Sequence, residues 1–365
     1  MTERLLISSA PVFKVDGETK GELARDLLRL EIDEDTAGMK RLTVHFIAQG
    51  PVSGQESEVL LYLDGRILDF GKPLEVSLGP TDDERTVFKG TVSAINAEFR
   101  EGREPEVMIA AEDKLMALRM TRRMKTYKQM SDGDIARQIA SEHGLSADVS
   151  ADGPTYDVVQ QWNQSDLAFL RERARLIQAE IWVADDALHF QSRDQRSGTE
   201  LTLVQGNHLL ALSARADLAH QRTKIKVSGY DAQQREAITE EAGEDAISAE
   251  TSGGRNGIGL AQQVFGDLTS YRVRSIAIIS DEARSFAEAE MRRRARGFVI
   301  VSGITRGSPD MIVGSKLKLE RVGAPFEGGD YYVTRVCHSY DLKDGHRTRF
   351  EAERPTIQSS SAGGT

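Results

Sequence analysis

Apolar and polar residues alternate along this chain with a period that changes, and the changes divide it into three parts. Over residues 1–117 short runs alternate at period two: Leu5–Ser8, Phe13–Val15, Leu28–Ile32, Leu42–Phe46, Val59–Leu63, Ile67–Phe70, Leu74–Leu78, Val87–Asn96 and Val107–Ala111. Asp64–Gly65 between two of these runs predicts a tight hairpin turn. Many short strands with turn residues between them predict a barrel or sandwich, one face of which is wet or set against a partner.

At Lys114–Lys128 the pattern becomes a basic, Met-rich connector, which marks a boundary. Helical spacing follows. Ser131 or Asp132 is placed to cap a helix in which Ile135 and Ile139 stack, and Gly144 suits a left-handed stop. After a strand near Tyr156–Val159, Ser165 caps a second helix and Asp166 sets a carboxylate at its positive end. There Leu167, Leu170, Ala174 and Ile177 form the core-facing stripe, with Arg171, Glu172, Arg173 and Arg175 outside. Ile181–Val183, a turn at Asp185–Asp186 and Leu188–Phe190 read as a hairpin.

From Leu201 the β period resumes, in Leu201–Val204, Leu209–Ala214 and Thr223–Tyr230. Residues 231–257 break it: between Asp231 and Glu250 stand seven acidic residues and one basic, and SGGRNG follows, so the stretch reads as an exposed insertion. Over Asp281–Arg296 a helix is predicted, with Ser280 as cap, acids in the first turn, and Arg292, Arg293, Arg294 and Arg296 in the last before Gly297. Its stripe of Ala283, Phe286, Ala287, Met291 and Ala295 is thin and fits close packing on a sheet. Phe298–Ile304, Lys316–Leu319, Tyr331–Asp341 and Thr348–Ala352 read as strands, with Gly-rich turns at 302–309 and 327–329. The expected architecture is α+β and β-rich. An N-terminal β-barrel-like domain (1–117) and a second one (201–354, with a helical and acidic insertion at 231–297) flank a small α/β domain (118–200), and a disordered tail (355–365) follows.

Composition narrows the function. With 39% hydrophobic and 28% charged residues the chain can fill real cores. It has no apolar run of the ~18–20 residues that span a bilayer, and no basic segment leading into an apolar one at the N-terminus. Synthesis in the cytoplasm without a signal peptide, and no membrane insertion by the chain itself, are therefore expected. The net charge of −10 argues against nucleic-acid recognition. The basic run Arg119, Arg122, Arg123, Lys125 and Lys128 reads as a solvated or inter-subunit face. Cys337 is the only cysteine, in an alternating strand where it serves as a small core residue, and the seven His show no ligand spacing.

No catalytic constellation stands out. Gly253–Gly259 follows acids instead of a strand and reads as a flexible loop. The paired carboxylates Asp185–Asp186 and Asp82–Asp83–Glu84 lie in turn contexts. His338, Ser339 and Asp341 are close in sequence, but neighbours on a strand point to opposite faces. We therefore expect no catalytic, cofactor-binding or metal-binding residues, no cofactor, and no enzyme.

Four stretches resemble the phage late control protein D and type VI VgrG tail-hub family: QWNQSDLAFLRERAR…AEIWVADDALHF (161–190), TYKQMSDGDIARQIASEHGL (126–145), VSGYDAQQREA (227–237) and the run over 312–355. The last keeps Gly323, Phe326, Gly328, Tyr331, Tyr332, Val333, Val336 and His338 of the family's ending. The resemblance implies a structural baseplate hub of a contractile tail or injection system. Such a hub is a homotrimer whose two β units per chain make a pseudo-sixfold ring between a hexameric inner tube, or tube-initiator protein, and a trimeric spike. Unlike VgrG proteins the sequence does not continue into a spike, so a separate spike protein and other baseplate proteins are the expected partners, within a virion or injection particle.

In this reading Gly229, Gly323, Gly328 and Gly329 permit turns with positive φ. Trp162, Leu167, Phe169, Leu170 and Trp182 anchor the α/β core or its interface, and Tyr331–Tyr332 suit a trimer seam. The alternatives are a tail-associated peptidoglycan hydrolase and a stand-alone binding module.

Overall fold

The computed structural model describes residues 10–50, 59–80, 83–232, 234–251 and 253–358, with the backbone alone for 273–276. The expected strand Leu5–Ser8, Asp82 and residues 359–365 lie outside the described residues. Among those described, the helices are α1 (Gly21–Arg25), α2 (Leu115–Met120), α3 (Asp132–Glu142), α4 (Asp166–Ile177), α5 (Gly257–Phe265) and α6 (Ser280–Arg296).

One sheet organises the chain. From one edge it runs Leu209–Ala216, Val299–Arg306, Gly345–Arg354, Gly328–Asp341, Leu27–Asp35, Arg41–Ile47, Glu106–Glu112, Arg85–Glu98, Pro73–Leu78, Val12–Val15 and Glu18–Thr19. Lys316–Glu320 also pairs with Gly328–Asp341 and carries Glu200–Val204 in parallel. The strands alternate as their sequences predict; in Arg41–Ile47 it is Leu42, Val44 and Phe46 that are buried. The seam between the β units is antiparallel, with Arg335 opposite Asp35 and Asp341 opposite Arg29. Residues some three hundred positions apart thus share one ladder, and the two β regions form a continuous sheet.

Among the described residues there are three apolar cores. One lies within 13–111 and one within 203–352. The third joins the α/β region to the segment around α6, placing Leu170 and Phe169 with Ile225, Phe286 and Met291. The thin stripe of α6 packs, as expected, on the strands Lys224–Asp231 and Glu236–Ala242.

Several expectations are corrected. The hairpin over 59–70 does not form: Val59–Leu60 pairs only with Gln49–Gly50. Gly65 turns at φ +73, but the Tyr62 hydroxyl is drawn inward, donating to Asp26 Oδ2 at 2.5 Å and to the Glu22 carbonyl at 3.1 Å, and Leu68 enters the core. The connector at 114–128 is α2 followed by a strand, Arg122–Ser131, paired with Thr155–Ser165. The acidic stretch is ordered by long-range contacts: Glu236–Ala242 pairs with Lys224–Asp231, and Ile238, Ala242 and Ile247 are buried. The cationic end of α6 compensates the acids, through Arg296 to Glu250 at 2.6 Å and Arg292 Nε to the Ala246 carbonyl at 3.0 Å. The Gly-rich loop supplies a strand, Arg255–Asn256, against Thr356–Ile357, and Asn256 caps α5 by accepting the Gly259 N–H at 2.7 Å. Ser280 is the first residue of α6 and makes no side-chain cap bond; the Glu282 carboxylate instead accepts the Ile278 N–H at 2.8 Å. The strand Val299–Arg306 runs through the turn expected at 302–309, where Gly303 leaves room for the Phe350 ring.

Of the glycines, Gly323 and Gly328 do have positive φ (+93° and +104°), whereas Gly229 and Gly329 are not in that region. Gly229 is required for a different reason. Its Cβ would overlap the Ala277 carbonyl in the parallel pair with Thr269–Ala277. Because backbone cannot swing aside, Gly229→Ala is expected to lower stability by roughly 1–3 kcal/mol, with Gly329→Ala as the comparison in open space and ordinary backbone, measured by urea unfolding.

Candidate functional site

The α/β region shows how its sequence builds a rigid element. Ser131 and Asp134 form a reciprocal capping box on α3, and Ser165 accepts the Ala168 N–H at 3.2 Å on α4. Asp185 and Asp186 take φ 47° and 64°, the left-handed pair a tight hairpin needs between Ala179–Ala184 and Ala187–Ser192. Asp186 pairs with Lys114 at 2.6 Å, so the paired acids are turn residues. His189 stacks on Trp182 across the strands, ring centroids 4.6 Å apart.

Two arginines of α4 expected outside are turned to other elements. Arg171 donates to the carbonyls of Ala37 at 2.8 Å and Gly38 at 3.2 Å, clasping the N-terminal β region. Arg173 bonds Asp132, fully buried at the start of α3, which also receives the Tyr156 hydroxyl at 2.8 Å. Burial nonetheless raises the Asp132 pKa above its ordinary value. Asp166 is pushed up by burial too, but hydrogen bonds from Gln161, His143 and Arg123 outweigh it and hold the carboxyl below its usual range. The basic run is thereby partly consumed: Arg123 serves Asp166 and Glu142, and Lys125 serves Glu142.

The three regions meet at a buried ionic junction. Arg196 donates to Glu34 of the N-terminal β region at 2.6 Å and to Glu180 of the α/β hairpin at 3.1 Å, while lying 4.3 Å over the Trp182 ring. Glu180 also receives the Tyr332 hydroxyl at 2.7 Å, and Arg193 bridges to Glu353 while lying 4.2 Å over the Tyr332 ring. Burial raises the Tyr332 pKa, and the Glu180 charge adds to it, so the phenol stays a donor. Gly198 allows this closeness, since a Cβ there would meet the Ser315 backbone at 2.5 Å. A cleft of about 1100 Å³ opens beside it, with Arg193, Arg296 and Glu250 among its walls.

The sequence places Trp182 as an anchor and Tyr331–Tyr332 at a trimer seam; both tyrosines are instead buried within the chain, and the convergence of Glu34, Glu180, Arg193, Arg196 and Glu353 is missed. A trace was visible in Glu180, a lone carboxylate in the apolar strand AEIWV, where a charge needs a partner. Phe169, Leu167 and Leu170 are core, whereas Trp162 is exposed. Cys337 is a buried strand residue, its thiol pKa raised by burial. His338 faces inward to His346 and Thr348 while Ser339 contacts the Arg347 carbonyl, so the two do not meet. Among the described residues no cluster of three or more His, Cys, Asp or Glu is placed to hold a metal, and no helix is long and apolar enough to cross a membrane. The carboxylates of the junction are each bound to cations or a phenol, an arrangement that fixes geometry.

Solved structures with this fold include phage tail proteins and a component of a type VI secretion system. The 43 kDa tail protein of prophage MuSo2 from Shewanella oneidensis superposes with a TM-score of 0.68 at 12% identity, covering 95% of this chain and 98% of that one. The tail protein from Neisseria meningitidis MC58 gives 0.66 at 12% identity, over 94% and 96%. An E. coli component of the type VI secretion system, described as structurally similar to the T4 bacteriophage tail proteins gp27 and gp5, gives 0.56 at 14% identity, over 94% and 76%. The fold is therefore the β-rich one shared by phage tail and type VI secretion proteins. A family model described as the Alg8 N-terminal domain matches residues 47–341, and the chain belongs to that family. Among curated proteins none matches significantly.

Proposed function

We propose that this protein is a structural baseplate hub of a contractile tail or injection system, without catalytic activity. The observation that carries the reading is the end-to-end fold match, 95% of this chain against 98% of a whole phage tail protein. The resemblance of 126–145, 161–190 and 312–355 to tail-hub segments points the same way. In this reading the chain is a homotrimer. Two β regions from each of three chains present six similar units to a hexameric inner tube or tube-initiator protein, and the threefold side receives a trimeric spike among other baseplate proteins. Continuous pairing across the seam at Arg335–Asp341 and the ionic junction supports the role, because an adaptor must hold its two β regions at one angle. The domain division into 1–117, 118–200 and 201–354 is proposed with it.

The test is the native mass of the purified protein, alone and mixed with tube and spike proteins. Three copies per particle, with binding to either partner, are expected; a monomer that binds neither sinks the proposal. On a peptidoglycan zymogram no clearing is expected, and clearing would revive the hydrolase reading.

A further inference from the structure

The strand Arg122–Ser131 and its antiparallel partner Thr155–Ser165 form a ribbon that has no third strand among the described residues. Its inner face is buried, with Tyr127, Val159 and Gln161 against the helices. The outer face is not covered. There Met124 lies directly opposite Trp162, and these are 76% and 67% exposed. Val158, opposite Lys128, is 48% exposed, and Met120 at the end of α2 just before the ribbon is 69% exposed. A Trp and a Met left bare opposite each other, with a second bare Met at the end of α2 four residues before, make an apolar patch of roughly a few hundred Å², the kind that marks an interaction site. Trp is also the residue most enriched at binding hot spots.

Charge selects the occupant. Residues 114–131 carry six cations and no acid, so with a net charge of −10 the rest of the chain carries −16. Within the ribbon Arg123 and Lys125 are neutralised by Glu142 and Asp166, whereas Arg119, Arg122 and Lys128 are exposed around the apolar patch. The acidic stretch 231–250, with seven acids to one base, leaves Glu236 and Asp245 exposed at its surface.

We infer that the outer face of this ribbon is a subunit contact, occupied by an acidic face of a second copy of the same chain. Basic ribbon on one copy and acidic stretch on the next make a head-to-tail contact, which closes into a ring when the rotation allows. The inference rests on the homotrimer reading and adds where the seam lies.

The experiment compares the wild type with the double variant Trp162→Ala, Met124→Ser by native mass and sedimentation, with near-ultraviolet circular dichroism from Trp182 and the tyrosines as the check of folding. Truncating a hot spot is expected to weaken association roughly 30-fold or more, leaving a folded monomer. A folded variant that associates like the wild type overturns the ribbon contact and leaves the trimer standing; a wild type that is itself monomeric at tens of micromolar overturns both. A second arm needs no folding tolerance from these positions: exposed Gln160 is replaced by a photo-crosslinking phenylalanine analogue in the otherwise wild-type protein. Crosslinks between copies that reach 231–250 are expected, and a trimer showing no crosslink between copies from position 160 overturns the contact.

Discussion

Arg196→Ala is expected to lower stability by roughly 3 kcal/mol, the lower end of the cost of removing one partner of a buried pair, because Lys40 still faces Glu34, and Arg193 and the Tyr332 hydroxyl still face Glu180. The Arg196 side chain is only 4% exposed, against 7% for Glu180 and 12% for Glu34, so water screens little of what is lost. Both carboxylates then remain in a closed junction, and the Trp182 ring loses the guanidinium over it. Arg349→Ala is the comparison. It removes an equally short pair, to Glu31 at 2.6 Å, but both side chains there are about half exposed, and such pairs contribute about 0–1 kcal/mol. Equilibrium urea unfolding followed by fluorescence measures both. Should the two variants lose the same small amount, the junction does not hold the three regions together. Arg196→Met separates packing from charge, since it keeps an apolar stem over Trp182 and still removes the cation that Glu34 and Glu180 share.

Acid is expected to unfold the C-terminal β region through two histidines. His338 is buried against the Met311 carbonyl, Thr348 and His346, and the two rings lie 5.4 Å apart. Burial, together with His346 and Lys40, lowers its pKa from 6.5 to about 3; burial and Arg347 lower that of His346 to about 4. Both folded values lie below the ordinary one. The unfolded chain therefore takes up protons below pH 6.5 that the folded chain refuses, and stability falls as pH drops from 6.5 toward 4. At pH 5 each histidine costs about 2 kcal/mol. Asp113 acts oppositely. Burial raises its pKa to about 6, so the folded state binds that proton first and gains about 1 kcal/mol by pH 5 and about 2 kcal/mol by pH 4. The decisive quantity is thus a difference between profiles. His346→Gln should flatten the fall between pH 6.5 and 4 by about one proton's worth, and an unchanged slope would show that His346 is charged in the folded protein.

Much of the fold was legible because local chemistry set it. Ser165 and Ser131 cap the helices assigned to them, and the alternation of Leu42, Val44 and Phe46 fixed which face of that strand is buried. The positive-φ turn at Asp185–Asp186 follows from residues that tolerate it. Failures occur where one stretch depends on another far away. Residues 231–250 read as an exposed insertion because acids repel, and they are ordered because Arg292 and Arg296, some fifty residues on, meet them. Residues 114–128 read as a connector because they are basic and rich in Met. They form α2 and then, from Arg122, a strand, because Thr155–Ser165 supplies the ladder and Asp166 the counter-charge.

The site divides the same way. The sequence by itself determined the β-rich character, the placing of the α3 and α4 unit between two β regions, the helix caps and the tail-hub resemblance. Each depends on contacts within a few residues or on a period along one element. The tertiary structure alone decided that Leu27–Asp35 and Gly328–Asp341 are neighbours, that Glu34, Glu180 and Glu353 converge on Arg193 and Arg196, and that Trp162 is bare while Trp182 is half-buried between Arg196 and His189. A strand's sequence fixes which face is apolar, but its hydrogen bonds can be completed by any edge. A charged residue's sequence likewise does not say whether it will be buried; that depends on whether the chain elsewhere brings an opposite charge to it.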